Sequence, residues 1–173
     1  SLLQERRIDG LILMAPSLPA DKIREIKNLD IPFVVLQREI PDAEVSFVSV
    51  DNFDGGFKAT KHLIEKGHQR ILAIAGPEES QDSSRREEGY REALKEAGIK
   101  FDPDLVIRSE FNKETALPSF EHFRQRFAMP DAVFCFNDDI GLGLLKYLKT
   151  IGVRVPEDLA VIAARADLGN AGL

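Results

Sequence analysis

Short apolar runs that alternate strictly with segments of helical period predict an α/β fold built on parallel sheet. The runs carry Val, Ile, Leu and Phe at successive positions, so they read as strands covered on both faces rather than wetted on one. The punctuation agrees: helical segments close on Gly67, Gly98 and Gly152, and Pro32, Pro103, Pro130 and Pro156 stand in the links leading to the next strand.

Taken in order, the pattern predicts a strand at Leu11–Met14, a helix over Asp21–Leu29 and a strand at Phe33–Leu36. A polar, proline-bearing stretch, Glu39-Ile40-Pro41-Asp42-Ala43-Glu44, then marks a mild boundary before the predicted strand Phe47–Val50. Beyond it the sequence predicts helix Gly55–Lys66, strand Ile71–Ala75, helix Ser84–Ala97, strand Leu105–Arg108 and helix Lys113–Phe127. Pro118 is compatible with that last helix if it begins near Thr115 and the proline falls in its first turn. Strand Ala132–Phe136, helix Ile140–Ile151 and strand Leu159–Ile162 complete the prediction. The segment before the boundary is too small to close a sheet core alone, so either it extends the larger sheet or it is a lobe whose other parts lie elsewhere.

Composition limits what this chain does. With 173 residues it is long enough for a buried core without disulfides or metals. Its formal net charge of −6 is the wrong sign for a surface that grips phosphates directly. It shows neither an apolar run long enough for a membrane span nor the layout of a secretory signal, so a cytoplasmic address without membrane attachment is the expectation. Cys135 lies inside an apolar run and reads as an inert buried thiol.

The most informative stretch is Ala132-Val133-Phe134-Cys135-Phe136-Asn137-Asp138-Asp139, where apolar residues give way abruptly to three hydrogen-bonding side chains. In open α/β sheets ligands bind outside the carboxyl ends of the strands, which makes Asn137 the first candidate. Asp138-Asp139 fits an acid/base pair, or carboxylates capping the helix that follows; the second role needs no further partner. Gly141-Leu142-Gly143 lacks the third glycine of a dinucleotide loop, Lys146 standing there, and reads as close helix–sheet packing. His62, His68 and His122 lack metal-ligand spacing, and no serine elbow or phosphate loop is present, so neither a metal, a cofactor nor an enzyme activity is expected.

Several phrases occur together and in order. They are Arg7-Ile8-Asp9-Gly10-Leu11-Ile12-Leu13, Ile31-Pro32-Phe33-Val34-Val35-Leu36, Val50-Asp51-Asn52 with Gly55-Gly56, Gly67-His68-Gln69-Arg70-Ile71, Arg86-Glu87-Glu88-Gly89-Tyr90, Asn137-Asp138 and Val155-Pro156-Glu157-Asp158-Leu159. From Arg7 to Ile162 this resembles the effector-binding region of the lactose/galactose repressor (LacI-type) family of bacterial transcription regulators. The resemblance implies a periplasmic-binding-protein-like type I fold. It divides the chain into a fragment of the N-terminal lobe (1–46), most of the C-terminal lobe (47–162) and a tail (163–173) outside the family pattern.

For function, the resemblance implies a small sugar-like effector in a cleft, a homodimer, and operator DNA reached only through an N-terminal helix-turn-helix that has no counterpart in this sequence. A solute-binding protein of a sugar transport system is the alternative on the same fold. Asn137 corresponds to the family's ligand-bonding asparagine, and Arg86 to its ligand-clamping arginine, with Arg85 the rival if the loop is offset by one. Asp54 takes the place of a hydroxyl-binding acid, or caps its helix. Phe111 either stacks on a sugar face or joins the core. Met14, Pro16 and Ser17 follow the first strand and are candidates for the opposite wall.

The resemblance fails at one point. Where the family carries a ligand-binding aspartate, this chain reads Ala163-Ala164-Arg165-Ala166-Asp167, so Arg165 implies either an anionic ligand or a site altered after Ile162. Both ends are expected to be truncated relative to the family. Leu11–Met14 and Phe33–Leu36 are therefore expected to lack the central strand they would pair with.

Overall fold

The computed structural model describes residues 8–14, 19–28, 31–37 and 45–164, and these build parallel sheet in two separate units, Ser1–Val50 and Asp51–Leu173. In the first unit β1 (Leu11–Leu13), β2 (Phe33–Leu36) and β3 (Phe47–Val48) pair in the order β1-β2-β3. The helix α1 (Ala20–Lys27) follows β1 and contributes Ile23, which is fully buried with Val35 among Leu13, Phe33 and Val45. Ile12, Met14 and Val48 are more than half exposed.

Two expectations change here. Phe33–Leu36 does not lack partners: it is the middle strand, and among the described residues β1 and β3 are the two edges of this sheet. Phe47–Val48, placed by sequence at the head of the 47–162 lobe, pairs with β2 instead. Val35 N–H donates to the Ser46 carbonyl at 2.9 Å and Gln37 N–H to that of Val48 at 2.7 Å, so main-chain bonding carries this strand into the first sheet.

The second unit runs α2 (Asn52–Glu65), β4 (Ile71–Ala75), α3 (Gln81–Glu96), β5 (Val106–Arg108), α4 (Lys113–Arg126), β6 (Ala132–Cys135), α5 (Asp138–Thr150) and β7 (Ala160–Ala163). Its sheet is parallel throughout, in the order β5-β4-β6-β7. The continuous apolar runs now have their reason. Along β4 and β6, Leu72, Ile74, Val133 and Cys135 meet Phe120 and Phe123 of α4 and Ile140, Leu144 and Leu148 of α5. The alternate residues Ile71, Ala73, Ala132 and Phe134 meet Leu63 of α2 and Tyr90 and Leu94 of α3. A strand packed on both faces has no position left for a polar side chain. Cys135 is part of this interior, and burial pushes its thiol up to about 12, so it is the inert thiol expected.

Glycine sets how closely the helices approach. A Cβ at Gly56 would lie 2.2 Å from the Arg86 carbonyl oxygen, and one at Gly89 would lie 2.1 Å from that of Phe53, so α2 and α3 touch backbone to backbone. Gly141 serves the helix–sheet packing expected of it, against Ala163 of β7, whereas Gly143 departs from it and lets α5 approach Lys113 of helix α4. Pro118 departs from expectation. Asn112 caps α4 by accepting from Thr115 N–H at 3.0 Å, so the helix starts at Lys113 and the proline stands beyond the first turn. No helix among the described residues is long and apolar enough to cross a membrane.

The α4–α5 surface is joined at Glu121, whose carboxylate accepts from Arg124 on its own helix and from the Tyr147 hydroxyl on α5. The Arg124 hydrogen bonds, followed by that of Tyr147, hold its pKa down to about 2. A carboxylate depressed on folding contributes stability above its unfolded pKa and loses it as pH falls toward the folded one. We therefore expect Glu121→Gln to flatten the loss of thermal stability between about pH 4.5 and pH 2. Parallel acid titrations of the two proteins check this.

Glycine packing gives a sharper contrast. Gly56→Ala should cost about 1–3 kcal/mol in urea unfolding by forcing the helices apart. Gly55→Ala, whose Cβ would meet nothing within 4 Å, should gain about 0.5–1 kcal/mol.

Candidate functional site

Strands β5, β4 and β6 of the second unit end beside one another; β5 runs into Arg108 and Ser109 and β6 into Phe136 and Asn137. Asn137 is the N-cap of α5. Its Oδ1 accepts from Ile140 N–H at 3.0 Å, while its Nδ2 donates to the Phe111 carbonyl at 2.6 Å. An asparagine amide has two N–H donors and two acceptor lone pairs, so half of its hydrogen-bonding capacity remains for a ligand.

Arg86 on α3 is 8% exposed, and its Nη1 donates to the Phe136 carbonyl at 2.6 Å, at the residue immediately before Asn137. Burial pulls its pKa below the ordinary arginine value and Asp82 pushes it back up. Arg85 is exposed instead. It pairs with Glu88 and lies 5.4 Å from the Phe53 ring centroid, so of the two arginines only Arg86 reaches the end of β6.

Phe111 follows β5 in the left-handed region at φ 58°. Its ring lies over Gly76, just beyond β4, where a Cβ would come within 2.2 Å of the ring, and it packs against the cluster containing Phe134 and Phe136. Ser109, buried between them in sequence, donates its hydroxyl to the Ala75 carbonyl at 2.8 Å and fixes the exit of β5 against β4. The edge thus brings Asn137, Arg86 and Phe111 together through main-chain bonds.

The other candidates fall elsewhere. Asp54 does not cap α2: Asp51 does, accepting from Asp54 N–H at 2.9 Å, and the Asp54 carboxylate pairs with Lys58 at 2.7 Å. No hydrogen bond or ion pair joins Asp54 to Arg86 or Asn137. Asp139 does not cap its own helix either. It accepts from Lys113 N–H at 3.0 Å, which ties the start of α5 to the start of α4, and that backbone bond is the main reason its pKa is lowered. Ser17, Pro16 and Arg165 lie outside the described residues. Met14 is 64% exposed in the first unit.

Four buried or half-buried side chains were not among the candidates: Asp82, Asn52, Ser83 and Glu87. Asp82, in the first turn of α3, accepts from the Asn52 Nδ2 of α2 at 2.9 Å. Burial raises its pKa, against the pull of Arg86 and of the Asn52 hydrogen bond. Asn52 Oδ1 and Ser83 Oγ are buried with no hydrogen-bond partner. Glu87, also buried, is held at 2.5 Å by both Arg91 and Arg108 and braces α3 against the end of β5. Asp82 was visible in the sequence as the residue one helical turn before Arg86; a helix had to be predicted from position 81 rather than 84 for that spacing to matter.

Comparison with known proteins follows this geometry. Residues 1–169 match the model of the family described as periplasmic binding proteins and sugar binding domain of LacI family. The HTH-type transcriptional repressor CytR of Escherichia coli (strain K12) is 38% identical over 162 residues, which are 93% of this chain and 47% of that repressor. A solved complex of the transcriptional regulator CelR with cellobiose superposes with a TM-score of 0.81 at 38% identity, covering 93% of this chain and 50% of that one. A sugar-binding LacI-family regulator from Escherichia coli complexed with phosphate gives a TM-score of 0.83 at 31% identity, covering 94% and 58%. The chain spans about half the length of the curated relatives it matches.

Asn137→Ala removes both the cap of α5 and the donor to Phe111, and should cost about 1–3 kcal/mol without any ligand. Asn137→Ser, which keeps an oxygen for Ile140 N–H, should recover about half of that loss in the same denaturation series.

Proposed function

We propose that this chain, which belongs to the family of periplasmic binding proteins and LacI-type sugar-binding domains, is the effector-sensing part of a LacI-type transcriptional regulator. The effector is a sugar or related small molecule, and its occupancy governs operator binding by a homodimer. The observation that carries this reading is the buried Arg86 fork fixed on the Phe136 carbonyl next to Asn137, at the carboxyl edge of a parallel sheet. A pre-set guanidinium and a half-engaged amide supply donors and an acceptor for a polyhydroxylated molecule.

The helix-turn-helix for which the relatives are named would supply the DNA contact, since this chain's charge of −6 does not suit one. The curated relatives are repressors and regulators, which favours the sensor over the transport protein and over any catalytic role. Coupling to DNA follows from linkage: a ligand shifts the equilibrium by its difference in affinity for the two states.

Thermal unfolding with cellobiose and other neutral mono- and disaccharides tests the assignment. A binding sugar at about a hundred times its Kd should add about 2.7 kcal/mol of stability. The same sugar should give Arg86→Lys and Asn137→Ser a much smaller rise over their own ligand-free values. An undiminished rise in both variants would overturn the site, and no rise with any sugar would overturn the ligand class.

A further inference from the structure

The face of α5 turned away from the core carries four residues that the ligand edge does not use. Asp138, Leu142, Leu145 and Lys149 are all exposed, and their i, i+4, i+7, i+11 spacing keeps them within about 60° of arc on a helix of 3.6 residues per turn. Leu142 is 58% exposed and Leu145 40%. Asn137 caps this helix and Asp139 accepts from Lys113, which leaves Asp138 without a structural role. Among the described residues the side chains of Asp138 and Lys149 make no hydrogen bond or ion pair.

The stripe is symmetric. The outer pair, Asp138 and Lys149, and the inner pair, Leu142 and Leu145, share one midpoint along the helix, between Gly143 and Leu144. Turning a second copy end for end therefore lays acid on base and leucine on leucine. A surface complementary to its own two-fold copy fits a second copy of this chain; a different protein would need no such symmetry.

We propose that two copies of this chain associate through α5, antiparallel about a two-fold axis, with Asp138 against the partner's Lys149 and Leu142 against the partner's Leu145. This contact gives the homodimer of the proposed function its location and rests on that reading.

Antiparallel pairing sets the positive N-terminal end of one helix dipole beside the negative C-terminal end of the other, and Asp138 and Lys149 stand at those ends. The apolar surface also continues past the helix. A groove of about 390 Å³ lined by Leu145, Lys149, Gly152, Val153, Arg154 and Val155 opens there, with Ile151 exposed just before Gly152. Because Leu145 lines that groove, the leucine set opposite it meets a recess rather than a flat surface. An apolar centre with charges at its rim is the usual anatomy of a specific interface.

Sedimentation equilibrium at low salt on the 173-residue chain tests the contact. Leu142→Arg sets a cation into the apolar centre from each copy and should raise the dimer Kd at least about a hundredfold, with the circular dichroism unchanged. Asp138→Lys and Lys149→Asp each bring like charges together and should each weaken association about tenfold. Mixed in equal amounts, the two variants should recover it, since each supplies the charge the other lacks. Register has its own readout. Under mild oxidation Asp138→Cys mixed with Lys149→Cys should cross-link and neither alone should, because residue 138 lies about 16 Å along the axis from its own copy. Cys135 is buried and does not compete.

A wild-type chain that stays monomeric at about 1 mM would overturn the proposal. So would a dimer that Leu142→Arg does not weaken, a charge mixture no tighter than its parts, or cross-linking of either cysteine variant alone. Sugar titrations keep the two readings apart. If the chain is monomeric yet a neutral sugar raises its unfolding temperature, the contact falls and the sensor reading stands; if it pairs as described and no sugar acts, the reverse holds.

Discussion

A single hydrogen bond, from the Arg86 guanidinium to the Phe136 carbonyl, fixes the relation between helix α3 and the end of the central strand β6. A buried guanidinium has five donors and no tolerance for an unpaired setting, so α3 cannot slide along the sheet without stranding it. The backbone contact at Gly56 and Gly89 then locks α2 to α3, and the position of α2 follows from that of α3. Asn52 and Asp82 meet only because both helices are placed in this way.

The carboxyl edge is organised around polar groups that serve more than one element. Asn137 caps α5 and holds the loop after β5; Asp139 belongs to α5 and accepts from the first N–H of α4; Ser109 closes β5 on β4. Two of these bonds, from Ile140 N–H and Lys113 N–H, satisfy helix-terminal donors that have no partner within their own helix. They also make the edge a shared construction, in which helices α4 and α5 start from a common set of partners. The asparagine is therefore structural as well as available, since only part of its amide is committed.

How much of this was readable in advance depends on which physical signal each element carries. The strands β4 and β6 were plain because burial on both faces leaves only apolar residues, and the helix ends at Gly67, Gly98 and Gly152 were plain because all three adopt positive φ. Arg86 is preferred over Arg85 on the resemblance alone, with Arg85 the rival; the folded helix separates them, burying Arg86 with Gly89 and Tyr90 and leaving Arg85 exposed. Helix starts were less legible. Asp51 and Asp54 both suit a cap by residue type, and only the folded backbone decides between them; the same holds for Asn137 over Asp138 and Asp139. Phe47–Val48 was assigned to the wrong sheet because pairing partners are chosen by main-chain geometry that two residues cannot encode. Asp82 escaped notice because its hydrogen bond comes from Asn52, distant in sequence and adjacent only after α2 packs on α3.

Phe111 leaves one consequence to draw. A phenylalanine in the left-handed region carries about 1–2 kcal/mol of conformational strain, and here it is retained by a ring pressed on Gly76 and a carbonyl bonded to Asn137. The peptide behaves as a loaded spring with its catch on the Asn137 amide. Whatever draws that amide away recovers part of the stored energy, so the segment between β5 and α4 is the place along this edge where release is assisted rather than opposed.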